Sequence, residues 1–281
     1  MTISRYRPPF WRRGEPPKNR DIAKLRPSSL PKGKRFETVQ DARIESERSE
    51  LLLKKVGARG RRLGGQLQAC RDDARNCDKP HCPVCARSFR RWFTGQLLRI
   101  AAKDDKPAAV VTVLLETAPF NRLENLDFES HRAALRKKLL RSGLDRSVVI
   151  GGVEIAYKGR NIGWVLHINL VVIHPDEAGL KRFLKKFANS AIARPTLKSA
   201  LVDSMEQLSY VLKFTTYHRP FKRRGASKAA PVPLNPALHY ELVSWMSERS
   251  FKDYIVLFNA RLGARSIKAS PKVALATSRR R

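Results

Sequence analysis

Trp164-Val165-Leu166-His167-Ile168-Asn169-Leu170-Val171-Val172 is the stretch on which the fold turns. Side chains alternate faces along a strand, so Trp164, Leu166, Ile168, Leu170 and Val172 share one apolar face. His167 and Asn169 then project together from the other. Two polar groups on an otherwise apolar strand need partners, because burying them unpaired is costly. The preceding apolar run, residues 148–157, reads as a second strand, joined through the turn-like Lys158-Gly159-Arg160-Asn161. It carries Glu154, the only acidic residue between Arg146 and His174. If the two strands pair as a hairpin, Glu154 reaches the face of His167 and Asn169. A carboxylate, an imidazole and an amide oxygen suit a divalent cation such as Mg²⁺ or Mn²⁺. They equally suit a structural hydrogen-bond cluster in a half-buried sheet.

Working outward, the β-branched run at 108–115 reads as a further buried strand. Ser130 is expected to cap a helix ended by Gly143, and Asp176 one that runs to about residue 193. A helix is also expected over 203–216, with Met205, Leu208 and Leu212 as its apolar stripe. On it, Tyr210 and Lys213 stand at i and i+3 and so are neighbours. A phenol is a poor nucleophile at neutral pH, a metal-bound phosphate is an electrophile it can attack, and a nearby ammonium would stabilise the charge. By itself such a pair is a weak signal, because a tyrosine on a helix is normally just core. Tyr217, two helical turns on, is a candidate second nucleophile.

All four cysteines lie within sixteen residues, with spacing C-x6-C-x4-C-x2-C over Cys70, Cys77, Cys82 and Cys85. Four thiolates favour tetrahedral zinc, and C-x2-C places two sulfurs on one ion. The alternative is unligated buried cysteines. His81 adjoins a ligand and is taken as a bystander. Phe89, Trp92, Phe93 and Leu97 then recur at helical spacing over 86–103.

Charge sets the class of partner. Lys and Arg number 57 against 25 Asp and Glu, a formal net charge of +32. Such an excess repels itself in a compact fold and calls for a polyanion, and nucleic acid gains from counterion release. No apolar run of membrane-spanning length and no signal-like start appear, so the expectation is a cytoplasmic protein with reduced cysteines and no membrane partner. The expected organisation is a basic, largely disordered arm over 1–60, with a charged helix near 42–56. A four-cysteine zinc module over 61–95, a core over 96–220 and a basic extension over 221–281 follow.

Taken in chain order, the pieces between about residues 65 and 220 resemble the rolling-circle replication initiators of bacterial plasmids, within the HUH endonuclease superfamily. The segment from His81 to Trp92 looks like the cysteine-rich stretch that precedes the nuclease core in one initiator family. Val110-Val111-Thr112-Val113-Leu114 is similar to its first motif, a strand with a central Thr. Gly152 and Glu154 are similar to the strand bearing its acidic ligand. Trp164 to Val172 resembles its histidine strand, and Tyr210-Val211-Leu212-Lys213-Phe214 its Tyr-x-x-Lys motif. One position departs: Asn169 stands where the second histidine is usual.

The resemblance implies an α+β fold, a central antiparallel sheet with flanking helices preceded by a small zinc module. It implies one Mg²⁺ or Mn²⁺ on Glu154, His167 and Asn169, and Tyr210 as nucleophile aided by Lys213. Structural Zn²⁺ would sit on the four cysteines. Single-stranded or hairpin origin DNA is the implied substrate, with a host helicase and polymerase as further partners. Three other readings stand beside it: a catalytically inactive DNA-binding protein on the same fold, a zinc-containing RNA-binding protein, and a transposase or conjugative relaxase of the same superfamily.

Overall fold

The structure, a computed structural model, describes residues 38–72, 76–101, 108–188, 195–198, 204–214, 217–218, 232–263 and 266–270. It is an α+β protein built on an antiparallel sheet with helices against it. The helices before the sheet are α1 (Val39–Lys54), α2 (Gly57–Asp72) and α3 (Pro83–Ala101). β1 (Ala108–Ala118), α4 (Phe128–Arg141), β2 (Val148–Tyr157), β3 (Trp164–Ile173) and α5 (Glu177–Lys185) follow. Next come β4 (Thr196–Lys198), α6 (Ser204–Ser209), the short pair β5 (Tyr217–His218) and β6 (Val232–Pro233), and α7 (Pro236–Ser247). β7 (Ile255–Phe258), β8 (Ala260–Leu262) and β9 (Ile267–Ala269) complete the order.

The main sheet has five strands in the order β4-β1-β3-β2-β7, each pair antiparallel. The two strands expected at 148–157 and 164–173 form the hairpin that the alternation implied. Its turn closes through hydrogen bonds from Lys158 N to Gly163 O and from Gly163 N to Gly159 O, both 2.8 Å. Gly163 has φ of +79°, and a Cβ there would lie 2.2 Å from the Ala118 carbonyl oxygen at the end of β1. Glycine is what lets this turn press against β1. In the centre, Leu166, Ile168, Leu170 and Val172 are wholly buried, joined on that face by Val111, Val113 and Val153.

Several segments differ from expectation. Residues 39–54 and 57–72 form two helices packed on the core through Leu53, Leu63 and Leu67. The arm expected over 1–60 is therefore helical from Val39 onward, and its earlier part lies outside the described residues. In the cysteine segment, Cys70, Cys82 and Cys85 belong to the same hydrophobic cluster as the sheet. α4 is capped by Asp127, whose side chain accepts from Ser130 N, rather than by Ser130. α5 is capped by Asp176 as expected but ends at Lys185. The C-terminal part is not a mere extension: α7 buries Leu238, Leu242, Val243, Trp245 and Met246, and β7 forms an edge of the main sheet beside β2. Among the described residues no helix is long and apolar enough to cross a membrane.

Candidate functional site

Cross-strand pairing fixes one polar face. Glu154 is opposite His167, Gly152 and Thr112 are both opposite Asn169, and partners opposite one another share a face. The Thr112 hydroxyl donates to Asn169 Oδ1 at 2.7 Å, and Asn169 Nδ2 donates to Glu154 Oε2 at 3.2 Å. The amide is therefore held between two neighbouring strands, with its donor side toward the carboxylate.

The chain after α6 closes over this face. A Cβ at Gly152 would lie 2.4 Å from Val211 O and 3.0 Å from Leu212 Cα, so only glycine admits the close approach. The helix expected over 203–216 stops at Ser209, and Tyr210 stands in the turn that follows it. The i, i+3 neighbourhood survives the change: Lys213 Nζ lies 4.1 Å from the centre of the Tyr210 ring and 3.8 Å from Glu154 Oε2. The ammonium thus bridges the phenol ring and the carboxylate.

His167 completes the group. Its Nε2 is buried with no hydrogen-bond partner among the described residues. Burial pushes its pKa down to about 4, a fall that Lys158 and Lys213 assist and the nearby Glu154 carboxylate opposes. The ring is consequently neutral near pH 7, and its Nε2 is unclaimed by protein, free to serve as the acceptor nitrogen in the tautomer protonated at Nδ1. An unclaimed imidazole nitrogen beside a carboxylate fits a cation, and Asn169 Oδ1 keeps a second lone pair beyond the Thr112 bond. Against this stands Lys213, which already offsets the Glu154 charge and would compete with an ion.

Two side chains outside the expected set hold the Tyr210 turn in place. Arg90, on α3, donates to Leu212 O at 2.8 Å and to Ser209 O at 3.3 Å, satisfying carbonyls that the short α6 leaves open. Phe214 packs on Phe251 and Tyr254, with ring centres 5.7 and 5.1 Å away, and Phe89 of α3 stacks on the same Phe251 at 4.3 Å. Replacing Arg90 by alanine strips charge-assisted bonds from these carbonyls and should lower stability by about 2–3 kcal/mol. Urea titration checks this, and an unshifted midpoint would rule out such an anchor. No spacing pattern pointed to Arg90, because its partners lie more than a hundred residues away. The Gly151-Gly152 pair inside a strand was the signal available for the close approach.

Tyr217 does not join this group through its hydroxyl, which donates to Glu45 Oε2 of α1 at 2.9 Å beneath the Arg48 guanidinium, 4.5 Å from the ring centre. Burial, then the Glu45 charge, raise its pKa. Nearby, Ser49 Oγ and His239 Nε2 are 2.7 Å apart and buried between α1 and α7. Burial first, then the charge of Arg48, bring His239 down to about 4.

His167 and His239 titrate near 4 when folded and near 6.5 when unfolded, so between those values the unfolded chain holds more protons. Their contribution is whole above pH 6.5 and drains away as pH falls toward 4. Urea midpoints measured in metal-free buffer should fall across that window, with a slope of up to two protons. A flat profile would contradict the burial of both neutral rings.

The four cysteines form a second group, the only one with three or more His, Cys, Asp or Glu ligand atoms drawn together among the described residues. Their sulfurs all lie within 4.8 Å of one another, and none is in a disulfide. Cys70 and Cys85 Sγ are 3.4 Å apart, and Cys77–Cys85 and Cys82–Cys70 are each 3.5 Å. Tetrahedral zinc, with Zn–S of about 2.3 Å, separates its sulfurs by about 3.8 Å, so the spacing suits such an ion. Cys70 comes from the last turn of α2 and Cys85 from the first turn of α3. His81 is buried but stands outside the four-sulfur group.

Compared with protein-family models, with curated proteins and with solved structures, the chain has no significant match in any of the three.

Proposed function

We propose that this chain is a strand-nicking DNA replication initiator of the HUH type, cutting single-stranded or hairpin origin DNA through Tyr210. One observation carries the reading. The Lys213 ammonium stands between the Tyr210 ring and the Glu154 carboxylate, while the neutral His167 on the neighbouring strand keeps an unclaimed nitrogen.

In this reading Glu154, His167 and the Asn169 amide oxygen would hold one Mg²⁺ or Mn²⁺, which when bound supplies polarisation of the scissile phosphate. Tyr210 Oη forms a bond to phosphorus and the P–O3′ bond breaks. The products are a 5′-phosphotyrosyl link and a free 3′-hydroxyl, which takes up the proton the phenol loses. Lys213 steadies the charge that develops on the phosphate. Thr112 holds the Asn169 amide in place, and Arg90 and Phe214 hold the turn that bears Tyr210. Zinc on Cys70, Cys77, Cys82 and Cys85 would tie α2 to α3, and with it Arg90. The free 3′-end suits extension by a host polymerase working with a host helicase.

The test is formation of a denaturant-resistant protein–oligonucleotide adduct with Mg²⁺ or Mn²⁺. A second reading has its own support: Asn169 and Lys213 both already engage Glu154, and an internally satisfied carboxylate suits a DNA-binding protein that no longer cleaves. That reading expects retained DNA affinity and no adduct with either metal.

A further inference from the structure

The turn of the α1–α2 hairpin is wholly basic, whereas α1 itself mixes both signs. Asp41, Glu45, Glu47 and Glu50 lie along α1, and Asp72 closes α2, whereas no acidic residue occurs from Leu51 to Arg71. Lys54, Lys55, Arg59, Arg61 and Arg62 crowd the turn between the helices, and all five are exposed. The buried Glu50 engages Lys54 and Arg71. Lys55, Arg59, Arg61 and Arg62 have no ion-pair partner among the described residues. Arg59 also lies in the first turn of α2, which contains no acid, where the helix dipole disfavours a cation. Four like charges crowded into eight residues repel one another and work against folding. Their placement is explained by a polyanion that they meet.

A Cβ at Gly60 would stand 2.2 Å from Leu53 O, so the two helices meet in close contact and the backbone sets where the cations emerge. We propose that this turn is a docking surface for the phosphodiester backbone of duplex DNA. Residues 38–72 contain no aromatic side chain, so the surface lacks the stacking platform that single strands use. The same lack removes the aromatic anchors of a membrane-binding helix. A run of phosphates is what remains for a cluster of cations emerging from one turn. The surface goes beyond the cleavage reading and stands whether or not Tyr210 cuts DNA.

The experiment uses the full chain and a fluorescein-labelled blunt duplex of arbitrary sequence, with anisotropy read across a salt series. Combined Lys55→Gln, Arg59→Gln, Arg61→Gln and Arg62→Gln changes keep helix-forming side chains at exposed positions. They should flatten the slope of log K against log salt by about 3 to 4 and weaken binding roughly tenfold or more. Arg62→Gln alone, read in parallel in case the combined variant folds poorly, should flatten it by about 1. A folded variant with unchanged slope overturns the proposal. So does loss of binding to phosphatidylserine vesicles with duplex affinity intact. Adduct formation on a short single-stranded oligonucleotide, measured on the same variant, should persist. Failure of Tyr210 chemistry in the parent chain would leave the slope result standing, so the two readings are separable.

Discussion

Tyr210→Phe should abolish the covalent adduct and lower strand cleavage by about a thousandfold or more, while affinity for the same DNA stays within error of the parent. The separation is expected because the change removes one oxygen. The ring beneath Lys213 remains, so the ammonium keeps its partner at 4.1 Å and its place beside Glu154. Phe214 and Arg90, which anchor the turn, are untouched. A burst of adduct with Mn²⁺ in the parent, absent in the variant, would identify the phenol oxygen as the attacking atom. Cleavage by the variant at the parental rate would exclude Tyr210 as nucleophile. An inert parent with undiminished DNA binding would instead favour the non-cleaving reading, in which the carboxylate is already satisfied from within.

The second large effect concerns the sulfur cluster. Metal removal by a chelator, or Cys85→Ser, should lower the melting temperature by about 10 °C or more, or abolish the cooperative transition. Structural zinc contributes about 10–16 kcal/mol of apparent binding energy in small fingers, and a few kcal/mol of that moves a domain of this size by that amount. The reason is positional. Cys85 is fully buried in the first turn of α3, and Cys70, equally buried, is in the last turn of α2, so the ion would join two helices inside the core. Without it, thiols crowded at 3.4–3.5 Å lose the ligand that suits their spacing. The protein as purified should carry one zinc per chain by elemental analysis. Metal-free protein that melts at the same temperature would reduce the four cysteines to ordinary core residues. Because Arg90 lies about one and a half helical turns along α3 from Cys85, Tyr210 cleavage should weaken with it.

Much of the candidate site was legible because its signals are local. His167 and Asn169 on one face, and Glu154 opposite, follow from period-two alternation and a single turn, and the register bears this out. Tyr210 beside Lys213 rests on three residues of spacing and survives even though the helix ends one residue before Tyr210. The end of that helix was not legible. Residues 210–213 carry no glycine or proline to stop it. The stop comes from outside, through the backbone pressed on Gly152 and the carbonyls taken by Arg90.

Spacing and composition alone determined the central hairpin, the clustering of four sulfurs and the excess of positive charge, since each depends only on neighbours along the chain. Tertiary structure decided the rest. It recruited β7 from the C-terminal part beside β2, folded the cysteine segment into the common core and turned Tyr217 toward Glu45. Such outcomes are settled by which apolar surfaces bury one another and which open carbonyls find a donor, among segments that approach only when the whole chain collapses.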